Sequence, residues 1–353
     1  MTTASQALPG ASCPLPISDH KEIVLGHGSG GKLSHQLIRN FVLPHFRNEW
    51  LEPLHDGAIF EIGGVKLAFS TDSFVVAPIF FPGGDIGKLA VCGTVNDLAM
   101  CGARPLYLSA GFILEEGLPM DDFCRIVQSM QEAAAEAKVL LVTGDTKVVD
   151  RGKGDKIFIN TSGIGAVEPG VRIHPGRARA GDKVIINGPI ATHGIAIMSV
   201  RENLSFETKI ISDCAALHGL VEAALRAWPD IHVLRDPTRG GVASALAEIA
   251  EQAKAGIHLD EASIPIQEEV KGACEILGLD PLYVANEGKV LAIVPAEGAD
   301  AVLQAMRLHF LGKEATIIGE VVEEHPGFVT MKTRVGGNRV VDMLAGEQLP
   351  RIC

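Results

Sequence analysis

Apolar and polar positions first organise at Ile23, where a strand-like stretch meets Gly26-His27-Gly28-Ser29-Gly30-Gly31-Lys32. A helical stripe of Leu33, Leu37, Ile38, Phe41 and Val42 follows. Period-two alternation at Ala58–Ile62, Val65–Ser70 and Val75–Ile79 predicts strands. Phe81-Pro82-Gly83-Gly84 reads as a turn, and Asp85 as the N-cap of a helix running through Met100. Leu118–Ala137 carries Phe123, Ile126, Val127, Met130 and Ala134 on one helical face and leads into an apolar run, Val139–Thr143, with the pattern of a buried strand.

A second half begins near Arg177. It offers a strand at Lys183–Asn187, a helix around Cys214–Ala227, a glycine-primed helix at Val242–Lys254, a helix ending at Gly278 and a strand at Leu291–Pro295. Val329–Val335, Gly336-Gly337-Asn338 and Arg339–Leu344 read as a hairpin. The pattern predicts a loose arm over residues 1–20, an N-terminal domain over 21–168, a linker rich in Pro, Gly and Arg at Glu168–Gly181, a C-terminal domain over 177–344 and a mobile tail over 345–353. Strands and helices mix without regular βαβ alternation, so the expected class is α+β.

The length of 353 residues suits two cores. A net charge of −12 without a basic stripe argues against nucleic acid or an anionic membrane as partner. No apolar stretch reaches membrane-spanning length, and the start lacks a signal-peptide pattern, which predicts a cytoplasmic protein. Seven cysteines without a C-x-x-C pair disfavour both disulfides and a zinc site.

Candidate chemistry gathers at the glycine run and at scattered acids. Gly28, Gly30 and Gly31, followed by Lys32 and a helix start, offer N–H groups and a cation to a polyphosphate. The P-loop spacing itself is absent. Asp56, Asp72, Asp145 and Asp236 fall at strand ends and turns, where each alone is equally a cap or turn residue. Asn96 and Asp97 interrupt an apolar helix, and a polar pair there needs partners if buried. Converging carboxylates are what Mg²⁺ bridging the phosphates of ATP requires. Thr238-Arg239-Gly240-Gly241, at a helix start just after Asp236, is a second candidate phosphate cradle. Lys147 follows Asp145 closely and reads alone as a surface lysine, and Glu287 sits in a short polar turn where a carboxylate is usually solvated. Cys353 is the last residue, and a thiolate there is a good acceptor for acyl groups. Extended, the nine residues before and including it reach roughly 30 Å.

Taken jointly, Thr71-Asp72-Ser73-Phe74-Val75-Val76, Phe81-Pro82-Gly83-Gly84-Asp85-Ile86-Gly87, Gly93-Thr94-Val95-Asn96-Asp97-Leu98-Ala99, Gly102-Ala103-Arg104-Pro105 and Gly144-Asp145-Thr146-Lys147 resemble the ATP-binding superfamily of aminoimidazole ribonucleotide synthetase and selenophosphate synthetase. Within it, the terminal Pro-Arg-Ile-Cys is similar to that of the carbamoyl dehydratase family of hydrogenase maturation factors. The resemblance covers about residues 21–353.

It implies a two-domain α+β fold of the aminoimidazole ribonucleotide synthetase kind, with a β-barrel shared at a homodimer interface and ATP in a groove. A carbamoyltransferase would load Cys353 as an S-carboxamide, and ATP-dependent dehydration would leave an S-cyanate. An iron-carrying scaffold complex would then accept the cyanide for [NiFe]-hydrogenase. On this reading Asp56, Asp72, Asp97 and Asp236 gather metal and phosphates with Asn96 and Asp145 nearby, Lys147 steadies the phosphorylated amide, and Glu287 removes its protons. Two alternatives stay open. One is another ATP enzyme of the superfamily, such as a selenophosphate synthetase, for which the nearest N-terminal thiol, Cys13, lies in the loose arm. The other is a non-enzymatic thiol carrier.

Overall fold

A computed structural model describes residues 20–202, 210–346, 349 and 351–353. Except for His20, the predicted N-terminal arm lies outside them. After the glycine run the chain makes α1 (Lys32–Leu37), a π-helical stretch at Ile38–Val42 and α2 (Leu43–Phe46), so the predicted helix is present as one continuous run with a wider turn inside it. Pro44 stands in the first turn of the second piece.

The N-terminal half continues through β1 (Ala58–Ile62), β2 (Val65–Phe74), the short pair β3 (Phe80–Phe81) and β4 (Gly84–Asp85), α3 (Ile86–Met100), β5 (Ala103–Glu115), α4 (Met120–Ala137), β6 (Leu140–Val149) and β7 (Ile157–Val167). Five of these strands form one sheet in the order β1-β2-β7-β5-β6. Only β5 and β6 are parallel, because α4 carries the chain back between them. Asp85 caps α3, its carboxylate accepting from the Gly87 and Lys88 N–H groups at 2.7 and 3.1 Å. Thirteen of the fifteen residues of α3 are buried, which is why its apolar residues run all round rather than along a stripe.

One expectation is corrected here. The apolar run after α4 is a strand but not a buried one: Leu140, Leu141, Val142 and Val148 are 64, 50, 58 and 67 % exposed. They lie on the edge strand β6, and a row of apolar residues (Phe69, Ile164, Tyr107, Leu140) crosses the sheet beside them on its open face. Val75–Ile79, predicted as a strand, leaves the ladder after Phe74.

The C-terminal half comprises β8 (Lys183–Ile186), α5 (Thr192–Arg201), α6 (His218–Ala227), β9 (Val233–Arg235), α7 (Gly241–Ala253), β10 (Gly256–Asp260), α8 (Glu268–Leu277), β11 (Leu291–Val294), α9 (Ala296–Leu308), β12 (Thr316–Val322), β13 (Val329–Lys332) and β14 (Asn338–Val341). Its seven-stranded sheet runs β14-β13-β10-β12-β8-β11-β9. Alternation along β8 sends Val184 and Ile186 into the core beneath α7 and α8, while Ile185 faces a second core. That second core includes Leu98, Met100 and Ala103, so apolar packing is continuous between the two halves. Among the described residues no helix is long and apolar enough to cross a membrane.

Candidate active site

Three chain segments bring carboxylates to one point. Asp56 precedes β1, Asp97 comes from inside α3 and Asp236 follows β9, and one ligand oxygen from each lies within 4.8 Å of the others. Arg235 Nη1 stands 2.8 Å from Asp56 Oδ1, while its other amino group reaches Glu248 at 2.6 Å. Ser70 Oγ donates to Asp97 Oδ2 at 2.7 Å. Burial, and then the charges of Asp236, Asp72 and Asp56, push the Asp97 carboxyl well above its ordinary range. Burial likewise lifts Asp56 to about 8 and Asp236 to about 6.

Such crowding is costly without a cation. Asp56 Oδ2 is buried without a hydrogen-bond partner. Hard, anionic oxygens around an unsatisfied point fit a small divalent ion such as Mg²⁺. Asp72 stands beside the trio rather than in it: its charge bears on Asp97 and Asp236, and Arg239 draws its own carboxyl down against the larger effect of burial.

The chain's last residues enter the same region. Val75 N–H donates to the main-chain oxygen of Cys353 and Ala77 N–H to the Arg351 carbonyl, both at 3.1 Å, so the tail lies along Val75–Ala77 like an added strand. Ile352 is 3 % exposed, packed among apolar residues of the N-terminal half. Burial first, then the Glu287 carboxyl by charge and hydrogen bond, push the Cys353 thiol well above its usual value. Glu287 is itself buried and displaced upward, by desolvation and then by Asp236, Asp72 and Asp213. Its backbone N–H is held by Asp213 Oδ1 at 3.1 Å, and Asp213 pairs with Lys289 at 2.9 Å. Arg239 is drawn upward by Cys353, then by Asp72 and Glu287.

Other residues expected at the site prove to sit elsewhere or to do something else. Asn96 is satisfied by the backbone, donating to Ala215 O at 3.1 Å and accepting from Leu217 N–H at 2.8 Å, so it braces α3 against the segment before α6. Lys32 Nζ is 2.5 Å from Asp342, and Gly28 is open on the surface. Gly30, at φ +71°, lies where a Cβ would stand 2.7 Å from the Arg239 carbonyl, so that glycine lets the run press on the Arg239 loop. Gly31 is equally tight against Leu344.

Asp145 and Lys147 pair with each other at 2.6 Å and are 71 and 69 % exposed. Their absence from the cluster follows from register. Asp72 aligns with Thr161, Ala110 and Gly144, the first two buried, whereas Asp145 aligns with Gly111, Asn160 and Ser73. Neighbouring rows face opposite sides of a sheet, and three strand spacings separate β2 from β6, roughly 14 Å. Arg235, Asp213 and His193 were not among the predicted site residues, and Arg239 was read only as part of a phosphate cradle. Only Arg239, inside a glycine-flanked turn, carried a sequence signal.

Two mixed α/β halves, each with its own sheet, and a buried carboxylate trio drawn from both define a class. Residues 54–167 match the family described as AIR synthase related protein, N-terminal domain, and residues 179–332 its C-terminal domain. The chain is 57 % identical over 327 residues to the carbamoyl dehydratase HypE of Azotobacter vinelandii, covering 93 % of this chain and 96 % of that one. Crystal structures of HypE in complex with ATP (52 % identity, TM-score 0.80, 94 % of this chain and 100 % of that one) and of a HypE–HypF complex (50 %, 0.83, 87 % and 99 %) share its fold. The chain belongs to the AIR synthase related family and, within it, to the HypE carbamoyl dehydratases of hydrogenase maturation.

Proposed function

We propose that the chain dehydrates an S-carboxamide carried on its own Cys353 to an S-cyanate, with ATP consumed in the step. The observation that carries this reading is the docking of the last residues along Val75–Ala77, which sets the Cys353 thiol against the buried Glu287, a carboxyl that in turn feels Asp236 of the cluster. An amide oxygen is a poor leaving group. Transfer of the γ-phosphoryl to that oxygen makes phosphate the departing species, and loss of the two N–H protons completes the C≡N bond.

Asp56, Asp97 and Asp236 would hold Mg²⁺, which would supply positive charge against the triphosphate. Arg239, which feels both Cys353 and Asp72, meets negative charge developing on the transferred group. Glu287 accepts one amide proton as the phosphoryl group is transferred, passes it on, and accepts the second as phosphate leaves. Burial raises its proton affinity, which makes its carboxylate a stronger base than a solvated one. The docked tail keeps bulk water from the thiocarboxamide.

A second copy completes the account. The open, apolar face of the N-terminal sheet suits pairing with its equivalent into a closed barrel, and Asp145 and Lys147 on that face would then reach the partner's groove. The crystallised HypE–HypF complex supports a carbamoyltransferase as the protein that loads Cys353, and the cyano group passes on to an iron-carrying scaffold for [NiFe]-hydrogenase. The test is stoichiometry: one ADP per water lost supports a dehydratase, whereas ADP release without change at Cys353 supports a switch-like carrier.

A further inference from the structure

We propose that His193, set by Ser212, is the positioning residue that seats the tail by gripping the Ile352 carbonyl. This rests on the reading of Cys353 as substrate carrier. His193 lies in the first turn of α5 and is fully buried. Its Nε2 is 2.8 Å from Ile352 O, and its Nδ1 is 2.8 Å from Ser212 Oγ. The partners dictate the tautomer. Cys214 N–H donates to Ser212 Oγ at 3.1 Å, which leaves the hydroxyl proton for Nδ1, so Nε2 carries the hydrogen given to the tail carbonyl. The Phe81 ring packs edge-on against the imidazole, 5.4 Å between centroids.

The neighbouring residue holds the other side of the reacting pair. Ser212 fixes His193 and hence the tail, while Asp213 accepts the Glu287 N–H. Two consecutive residues therefore set the distance between the Cys353 sulfur and the Glu287 carboxyl. The segment is anchored by Ser212 N–H donating to Pro82 O at 2.8 Å. It can approach that turn because residue 83 is glycine: at φ +98°, a Cβ there would stand 2.6 Å from Ile211 and 2.9 Å from Ser212 O. Arg201 adds a second grip, donating to the carbonyls of Ala77 and Arg351. Among the described residues the tail backbone is thus held by Val75, Ala77, His193 and Arg201, and of the two side chains His193 takes the carbonyl next to Cys353 in the chain.

The experiment follows alkylation of Cys353 in the full chain by iodoacetamide, read on the C-terminal peptide by mass spectrometry. It needs neither ATP nor a carbamoyl group, so its failure is distinct from failure of the dehydratase reading. Wild-type Cys353 should react slowly. His193→Phe keeps a ring but cannot donate, and should react at least about fivefold faster, the order expected for one lost buried hydrogen bond. His193→Gln restores a donor and should recover protection. Ser212→Ala releases the tautomer and should react faster than wild type even if His193→Phe does not fold. Unchanged protection in His193→Phe or in Ser212→Ala overturns the proposal, as does equal loss of protection in His193→Phe and His193→Gln.

Discussion

Cys353 and Glu287, separated by sixty-five residues of sequence, face each other in the folded chain, and the carboxyl raises the thiol both by its charge and by a hydrogen bond. A base held against the atom that bears the substrate predicts a large effect of removing it. Glu287→Gln on a carbamoylated chain should slow dehydration by about a hundredfold or more, with ATP binding retained. Single-turnover conversion measured by mass checks this. A wild-type rate would remove Glu287 from proton abstraction.

The carboxylate trio predicts opposite effects with and without metal. Asp97→Asn relieves like-charge crowding, so the metal-free variant should melt higher than wild type by roughly a few degrees. The same change should raise the Mg²⁺ concentration needed for ATP turnover at least tenfold. Thermal melts with and without Mg²⁺ test both signs together.

Tail docking should weaken at alkaline pH. The docked thiol is raised well above its ordinary value, first by burial, whereas an undocked thiol ionises near about 8.5. The docked state therefore binds more protons through that range. Its stabilisation is fully present below the undocked value and is lost as pH rises toward the docked one. Cys353 alkylation, normalised to a free-cysteine peptide, should climb faster than thiolate content above about pH 8.5. A flat ratio would contradict the burial of the thiol.

The open sheet face predicts assembly and a shared site. If two copies pair through this face as proposed, Tyr107→Asp should leave the chain monomeric by light scattering and abolish dehydration by mass. Lys147→Ala and Glu287→Gln, each inactive alone, should regain activity when mixed and allowed to exchange subunits. No recovery would place Lys147 outside the partner's groove.

Much of this architecture was legible where local rules operate. The Asp85 cap, the amphipathic stripe of α4 and the αL glycine closing α8 at Gly278 all follow from short-range chemistry and appear as expected. β6 misled because a run of apolar residues signals burial without saying by what, and here one chain leaves it uncovered. Asp145 looked equivalent to Asp72 by motif, yet strand register sends the two to opposite faces. Asn96 was correctly flagged as needing partners, but those partners, Ala215 and Leu217, lie more than a hundred residues away. His193 gave no signal at all. Its importance depends on a carbonyl at residue 352, and only the fold brings the two together.

The most direct measurement is the intact mass of the chain after Cys353 has been carbamoylated. With Mg²⁺ and ATP the C-terminal peptide should lose about 18 Da, one water, while ADP appears in equal amount. A carbamoylated Cys353 that keeps its mass under those conditions, or sheds water with no nucleotide present, would contradict the account.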